Sequence, residues 1–137
     1  MTTATIVKTI KRCMKDGGFV FVAGNGGSDS ESHHLSSEFV THGIRSMSLN
    51  NSATLTAIAN DYSYKYVFSK QLQVLGSVRD IFIGITTSGK SKNILQAYKT
   101  AKKIGMDIID WPRKGKDTAE IQENQLHLMH LVYKKLI

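Results

Sequence analysis

The stretch that decides the fold is Phe19-Val-Phe-Val-Ala-Gly24-Asn25-Gly26-Gly27-Ser28, in which an apolar run stops at a glycine-rich turn. The run predicts a buried strand over 19–23, and the polar segment after it predicts a helix over 28–42. A strand end, a turn that allows close backbone approach and a helix N-terminus together form an anion site, because the helix dipole and unpaired N–H groups point at one place. We therefore expect a phosphorylated small molecule beside this turn.

The rest of the chain alternates between helical and strand patterns, which indicates the α/β class. Helices are predicted over 3–15, 54–61, 64–75, 93–104 and 118–136, and further strands over 46–49, 79–85 and 106–109. The last helix reads as apolar almost all round, so we expect it to be buried in the domain or at a subunit contact. The alternation predicts a three-layer, doubly wound parallel sheet, whose ligands bind beyond the carboxyl ends of the strands.

Length and composition narrow the class of protein. The 137 residues are expected to form one domain, 1–137, with a net charge of +7. A plain basic surface or attraction of anionic metabolites explains that charge, and we expect no nucleic-acid partner because no basic run is interleaved with aromatic residues. The chain has no run of 18 apolar residues and no secretory signal, and Cys13 is its one cysteine. We therefore expect no membrane association and a reducing, cytoplasmic location.

A second loop rich in hydroxyl groups follows the predicted strand 79–85. Thr86, Thr87, Ser88 and Ser91 offer neutral donors, and Gly89 permits an unusual backbone angle. A phosphate dianion favours such converging donors. The alternatives are structural: a tight turn for the first loop, and a capping loop with Ser91 as N-cap for the second.

Neither loop matches a nucleotide-binding fingerprint. Position 29 is aspartate where a dinucleotide site needs its third glycine, and the Walker pattern is absent. This excludes a nicotinamide-dependent enzyme as the favoured interpretation.

The predicted helix after the first turn carries a candidate pair of chemical groups. His34 and Glu38 stand four residues apart, so they share one helix face and can share a metal or a substrate. The alternative is a solvated surface pair. His33 competes with His34 as the meaningful histidine, and periodicity does not decide between them.

The last helix offers two overlapping sets of polar side chains. Glu123, His127 and His130 lie within a narrow stripe, and Gln122 can also converge with His130, since eight residues place them about 80° apart. The alternative is a buried histidine that a neighbour satisfies. Spacing alone leaves these possibilities open.

Several motifs in a fixed order resemble the phosphoheptose isomerase family of the sugar isomerase (SIS) domain proteins. The resemblance runs from about residue 17 to the C-terminus and is carried by 24–28, 34–38, 55–62, 68–72, 84–91, 118–123 and His130. It implies a flavodoxin-like SIS domain, a homotetramer and active sites built at subunit interfaces.

The resemblance also implies roles for individual residues. His34, Glu38, Gln122 and His130 are implied to hold one zinc ion per subunit, with Glu38 as catalytic base and His130 as catalytic acid. Because glutamine is an unusual zinc ligand, we expect weak or partial occupancy. The implied substrate-binding residues are Asn25, Gly26, Gly27, Ser28, Glu38, Asn60, Asp61, Thr86, Thr87, Ser88, Ser91 and Gln122.

The implied activity is an aldose–ketose isomerisation. Sedoheptulose 7-phosphate would become D-glycero-D-manno-heptose 7-phosphate through an enediol, for the biosynthesis of activated heptose and surface polysaccharide. The alternative is a non-catalytic SIS module that binds phosphosugars or other proteins. The joint presence of Glu38, Gln122 and His130 favours the enzyme, because a binder needs neither an acid nor a base.

The sequence departs from the family pattern in two ways. Glu31 and Ser32 stand where aspartate and alanine are usual. The chain is also shorter than the family between Glu38 and the 55–62 motif, and between Ile109 and Thr118. A pared-down member is one explanation; we favour internal segments missing near 43/44 and 110–112.

Overall fold

The structure, a computed structural model, describes residues 1–137 and contains six α-helices and four β-strands. In chain order they are α1 Thr3–Lys15, β1 Val20–Gly24, α2 Gly27–Thr41, β2 Ser46–Ser48, α3 Ser52–Asp61, α4 Ser69–Leu75, β3 Ile81–Ile85, α5 Lys92–Ile104, β4 Asp107–Asp110 and α6 Thr118–Leu136. A single 3₁₀ turn, Tyr64–Tyr66, lies between α3 and α4. The helices contain no apolar stretch of the length that a membrane span requires.

The four strands form one parallel sheet in the order β2-β1-β3-β4. Val20 of β1 pairs with Ser46 on one side and with Ile81 on the other, and Ile81 pairs with Asp107. Successive strands are added on one side of β1 up to β2 and on its other side from β3 onward, so the switch point of the sheet lies between β1 and β3. The loops after these two strands therefore border the crevice where flavodoxin-like sheets bind ligands. The expected doubly wound α/β fold is confirmed.

Two apolar clusters, one on each face of the sheet, form the three layers. Alternate residues of β1 point to opposite faces, as strand geometry requires: Val20 and Val22 join α1, α2 and α6, whereas Phe21 and Ala23 join α4 and α5. β1 and β3 are buried along their whole length, which explains their continuous apolar runs.

Most predicted elements are confirmed, and two differ because side chains redirect the backbone. The predicted strand 79–85 begins only at Ile81, since the carboxylate of Asp80 accepts hydrogen bonds from the amides of Phe19 and Ser77, both 2.8 Å long, and holds a turn there. The predicted helix 64–75 is interrupted: a 3₁₀ turn ends at Tyr66 before α4 begins.

Within the single chain, α6 buries one stripe, and the expectation that a subunit contact buries its other apolar side chains stays a prediction. Only Gln125, Met129 and Val132 are buried, and they form one stripe that faces the sheet and its neighbouring helices. The remaining side chains of α6 are half-buried or exposed.

The backbone is hydrogen-bonded at both places where the chain is shorter than the family pattern. The Ile44 amide donates to the Phe39 carbonyl (2.9 Å), and the Trp111 amide donates to the Gly84 carbonyl (3.0 Å). The extent of the single domain, and the idea of missing internal segments, stay predictions.

Candidate active site

The glycine-rich turn joins β1 to α2 and leaves the start of α2 without a side-chain cap. Gly26 is the N-cap and has φ +59° and ψ −120°, a conformation that favours glycine. The carbonyl of Asn25 accepts from the Ser28 amide at 3.0 Å, which closes the turn. Ser28, a predicted substrate-binding residue, is itself buried.

The side chain of Asn25 links the turn to the start of α5 and to the 3₁₀ turn. Asn25 and Asn93 form a reciprocal amide pair with two 2.9 Å hydrogen bonds, and the Tyr64 hydroxyl donates to Asn25 Oδ1 at 2.8 Å. Sequence analysis missed Asn93 and Tyr64; the position of Asn93 just after the hydroxyl loop is the signal that could have found it. An open cavity of about 380 Å³ is bordered by these three residues and by Lys65, Ser91 and Lys92.

Three hydroxyl groups of the second loop lie close together. Thr86 Oγ1 lies 3.4 Å from Ser88 Oγ and 3.3 Å from Ser91 Oγ, and it also accepts from the Gly89 amide at 3.2 Å. Ser91 is the N-cap of α5, but its hydroxyl makes no capping hydrogen bond. The loop therefore presents Ser91 toward its neighbours rather than as a simple cap, and Thr87 makes no hydrogen bond in it.

His34, Glu38 and His130 form a compact group of possible metal ligands. One ligand atom from each lies within 4.8 Å of the others, with 3.4 Å between His34 Nε2 and Glu38 Oε1 and 5.6 Å between the two imidazole centroids. The first two stand on α2 and the third on α6, so the contact between these helices assembles the group. All three come from one chain.

The structure separates the alternatives that spacing left open. His33 faces Asp29, at 3.2 Å, rather than His34 and Glu38. On α6 it is His130, and neither Glu123 nor His127, that joins the group.

Gln122, on α6, lies beside the first residue of α2 rather than beside His34 and Glu38. Its amide contacts Gly27, where any Cβ would overlap it. Gly27 is seven residues, or about 10 Å of helix, from His34. Gln122 thus lies at the glycine-rich start of α2, and its role as fourth ligand stays a prediction.

Two aromatic neighbours extend the group along α2 and α6. His42 Nδ1 lies 2.7 Å from the Glu38 carbonyl oxygen, and its ring stacks on Tyr133 at 5.1 Å between centroids. Tyr133 also meets His130 edge-on at 5.9 Å. Both residues hold parts of the group in position, and sequence analysis singled out neither.

Glu31 places a carboxyl group without a partner on the same helix. It shares a face of α2 with Gly27, His34 and Glu38, given the helical spacing of these positions. Its Oε2 is buried and has no hydrogen-bond partner, and this burial raises the pKa of Glu31 to about 7. A carboxyl group that is partly protonated near neutral pH therefore stands beside the candidate site.

Asn60 and Asp61 lie at the end of α3 and are exposed. Asn60 Nδ2 donates to Asp61 Oδ1 at 3.0 Å, which is the one side-chain hydrogen bond of this pair. Their predicted role in substrate binding is not tested by these contacts. Larger cavities, of about 710 and 660 Å³, lie against α1 and beside β2, and contain none of the predicted site residues.

A parallel, doubly wound sheet with glycine and hydroxyl loops at its switch point defines an α/β ligand-binding domain. The sequence profile of the SIS domain matches residues 3–110. The chain belongs to the SIS domain family, which confirms the resemblance seen in its motifs.

Curated relatives of this chain carry a more specific name than the domain family does. The phosphoheptose isomerase of Thermodesulfovibrio yellowstonii is 36% identical over 150 residues, covering 93% of this chain and 75% of the relative. That of Burkholderia pseudomallei is 39% identical over 155 residues, covering 94% and 79%. Because the first alignment is longer than this whole chain, the relative carries internal residues that the chain lacks.

Solved structures of phosphoheptose isomerases have the same fold as this chain. Phosphoheptose isomerase from Neisseria gonorrhoeae superposes with a TM-score of 0.94 at 30% identity, over 98% of this chain and 84% of that protein. The enzyme from Francisella tularensis gives 0.93 at 29%, with the same coverage.

Proposed function

We propose that this chain is a phosphoheptose isomerase. It would convert sedoheptulose 7-phosphate into D-glycero-D-manno-heptose 7-phosphate. The observation that carries the proposal is the placement of Glu38 beside His130 in a chain 36–39% identical to phosphoheptose isomerases. An aldose–ketose isomerase needs an acid and a base within reach of two adjacent carbons, and this pair supplies both.

The proposed mechanism passes through an enediol. Glu38 removes a proton from the carbon beside the ketose carbonyl, and His130 protonates the carbonyl oxygen. Return of a proton to the former carbonyl carbon, with loss of the proton from the neighbouring hydroxyl, gives the aldose. Each acid or base role contributes about 10²–10⁴ in rate.

Substrate positioning is assigned to the two loops at the crevice. The hydroxyl groups of Thr86, Ser88 and Ser91 would hold the phosphoryl group, and the turn at Asn25 the sugar. Binding of the unreactive phosphoryl end orients the reacting carbons. The other proposed contacts are Gly26, Gly27, Ser28, Asn60, Asp61, Thr87 and Gln122.

We further propose that the site holds zinc. Two imidazoles and a carboxylate within 4.8 Å of one another fit zinc's preference for nitrogen and oxygen donors. Gln122 is the proposed fourth ligand, which would make the binding weak. When bound, the ion supplies positive charge that stabilises a developing oxyanion.

Assembly, location and pathway belong to the same proposal. A homotetramer with sites at subunit interfaces fits the exposed apolar side chains of a chain of this size, such as Val74 at 83% exposure. A cytoplasmic location fits the buried, unpaired Cys13. The product would enter activated-heptose and surface-polysaccharide biosynthesis.

A direct assay tests the activity. Purified protein is incubated with sedoheptulose 7-phosphate, with and without added zinc, and both sugar phosphates are followed by NMR. We expect the protein to convert the ketose into the aldose until the two sugar phosphates reach equilibrium. Tight binding of the sugar phosphate without any conversion would instead identify a non-catalytic phosphosugar-binding module.

A further inference from the structure

Arg113 lies on the hydroxyl loop, although no motif includes it. It follows β4, in the connection that leads to α6. Its Cζ, Nη2 and Nε all lie 3.0–3.1 Å from the point where a Cβ on Gly89 would stand. These near-equal distances place the Nε–Nη2 side of the guanidinium against Gly89, where an added side chain would crowd it.

A short network fixes the guanidinium in this position. Asp110 Oδ1 accepts from Arg113 Nη1 at 2.7 Å and from the Tyr98 hydroxyl at 2.8 Å. The hydrogen bond to Asp110 raises the pKa of Arg113, while burial raises that of Tyr98. The side chain of Arg113 is 30% exposed, so the charge is held but reachable from solvent.

One edge of the guanidinium has no partner. Asp110 takes only Nη1, and no protein acceptor bonds to Nε or Nη2. The Nε–Nη2 edge presents two parallel N–H donors, the geometry that binds a phosphate or carboxylate with two hydrogen bonds. This open edge lies against a loop whose three clustered hydroxyl donors, on Thr86, Ser88 and Ser91, are neutral, and whose one cation, Lys90, is exposed and makes no side-chain hydrogen bond or ion pair.

We propose that Arg113 is a further substrate-binding residue, which donates from Nε and Nη2 to the phosphoryl group that the hydroxyl loop holds. It supplies the full positive charge that the hydroxyl groups lack. This inference rests on the proposed function, because it takes the loop as the phosphate site. The competing role is structural, with Arg113 as a cover over Gly89 and no contact with a ligand.

A matched pair of variants separates these roles. Arg113→Gln removes the charge and the fork, whereas Lys114→Gln removes an equal charge from the adjacent exposed residue. The probes are inorganic phosphate, whose dissociation constant is measured by calorimetry, and sedoheptulose 7-phosphate, whose KM and kcat are measured by NMR. For Arg113→Gln we expect both the phosphate dissociation constant and KM to rise about tenfold or more, with kcat changed less than about threefold. For Lys114→Gln we expect changes below about twofold.

Two results would overturn the proposal: phosphate affinity and KM unchanged in Arg113→Gln, or equal losses in both variants, which would indicate general surface charge. If Arg113→Gln does not fold, Arg113→Lys provides the test instead. It keeps the charge without the fork, and we expect it to recover the phosphate affinity only in part; full wild-type affinity would contradict the bidentate contact.

The same data distinguish this inference from the proposed function. If the wild-type protein binds phosphate through Arg113 but does not convert the sugar, the proposed isomerase activity is wrong and the phosphate site is supported. If the protein converts the sugar normally and phosphate binding does not depend on Arg113, the activity is supported and the role of Arg113 is wrong.

Discussion

At the scale of single residues, the account depends most on Glu38. Its carboxylate lies 3.4 Å from the imidazole of His34 and within 4.8 Å of a ring nitrogen of His130. The helical spacing of His34 and Glu38 was readable from the sequence, because it is a property of one helix. The approach of His130 was not, because residues 92 positions apart meet only through the packing of α2 against α6.

Glu38→Gln is expected to abolish measurable turnover, lowering kcat by about 10²–10⁴, because the amide cannot accept the substrate proton. KM should change little, since the phosphoryl contacts remain. Steady-state kinetics check this, with Glu123→Gln on the exposed face of α6 as control. Near-normal turnover in Glu38→Gln would remove this residue from the mechanism.

Glu31→Gln is expected to stabilise the fold at pH 8 and not at pH 4.5. The folded pKa of about 7 exceeds the ordinary value of 4.5, so the stability associated with the protonated carboxyl is fully present below pH 4.5 and is lost as pH rises through about 7. Glutamine does not ionise, so it avoids this loss. Since the side chain is only half-buried, we expect a gain of about 1 kcal/mol at pH 8.

Urea unfolding at the two pH values measures the Glu31 effect, with Glu123→Gln as the exposed control. An equal stability difference between Glu31→Gln and wild type at both pH values would show that the carboxyl titrates normally.

At the scale of elements, the two strand–loop–helix units were predictable and their mutual contacts were not. Buried runs that end at glycine or hydroxyl clusters identify β1 and β3 and the helices that follow them. The pairing of Asn25 with Asn93, and the position of Arg113 over Gly89, depend on the order of strands in the sheet. Local patterns do not encode that order.

Local competition explains why some element boundaries were missed. The carboxylate of Asp80 binds two backbone amides and so delays the start of β3. The Tyr64 hydroxyl bonds to Asn25, far away in sequence, where the helical pattern over 64–75 gave no sign of a break.

Gly26→Ala should destabilise the protein and impair its activity. Gly26 has φ +59° and ψ −120°, and no atom lies within 4 Å of an added Cβ, so the cost is conformational, about 1–3 kcal/mol. Gly17→Ala is the control, since it also has a positive φ (+71°) and open space, but lies after α1. Urea unfolding and kcat/KM measure the two effects. We expect both variants to lose stability and only Gly26→Ala to lose kcat/KM, about tenfold; equal activity of the two would contradict a role for the turn in substrate binding.

The contact between α2 and α6 is expected to create the metal affinity. His130→Ala removes one of three clustered ligands and should weaken zinc binding at least about tenfold, as measured by calorimetry on the purified protein. His127→Ala removes an exposed histidine of the same helix outside the group and should leave affinity unchanged. The same zinc affinity in both variants would show that the three residues do not form the site.

At the scale of the whole molecule, the surface retains apolar area that one chain does not cover. Val74, Val78 and Tyr62 are 83%, 68% and 65% exposed, and α6 buries only one stripe. Tyr62 and Val74 line one cavity of about 660 Å³, and an extended exposed apolar patch usually marks an interaction site. The single chain covers one stripe of α6, and burial of its other apolar side chains at a subunit contact stays a prediction.

We expect the purified protein to be a tetramer. Light scattering coupled to size-exclusion chromatography should give a mass four times the 15.2 kDa of the chain. A variant that replaces Val74 and Val78 by serine tests whether the surface at the end of α4 forms a subunit interface. If it does, the variant should no longer assemble into a tetramer. A wild-type mass of 15.2 kDa at micromolar concentration would contradict the tetramer.

The central claim is that Glu38 and His130 move protons on one bound sugar phosphate, and solvent isotope exchange tests it most directly. Sedoheptulose 7-phosphate is incubated with the protein in deuterium oxide, and deuterium at the two carbons that share the enediol is followed by NMR. The account predicts incorporation with wild type and Glu123→Gln, and none above background with Glu38→Gln. Incorporation at the wild-type rate in Glu38→Gln, or none with the wild-type protein at saturating substrate, would contradict it.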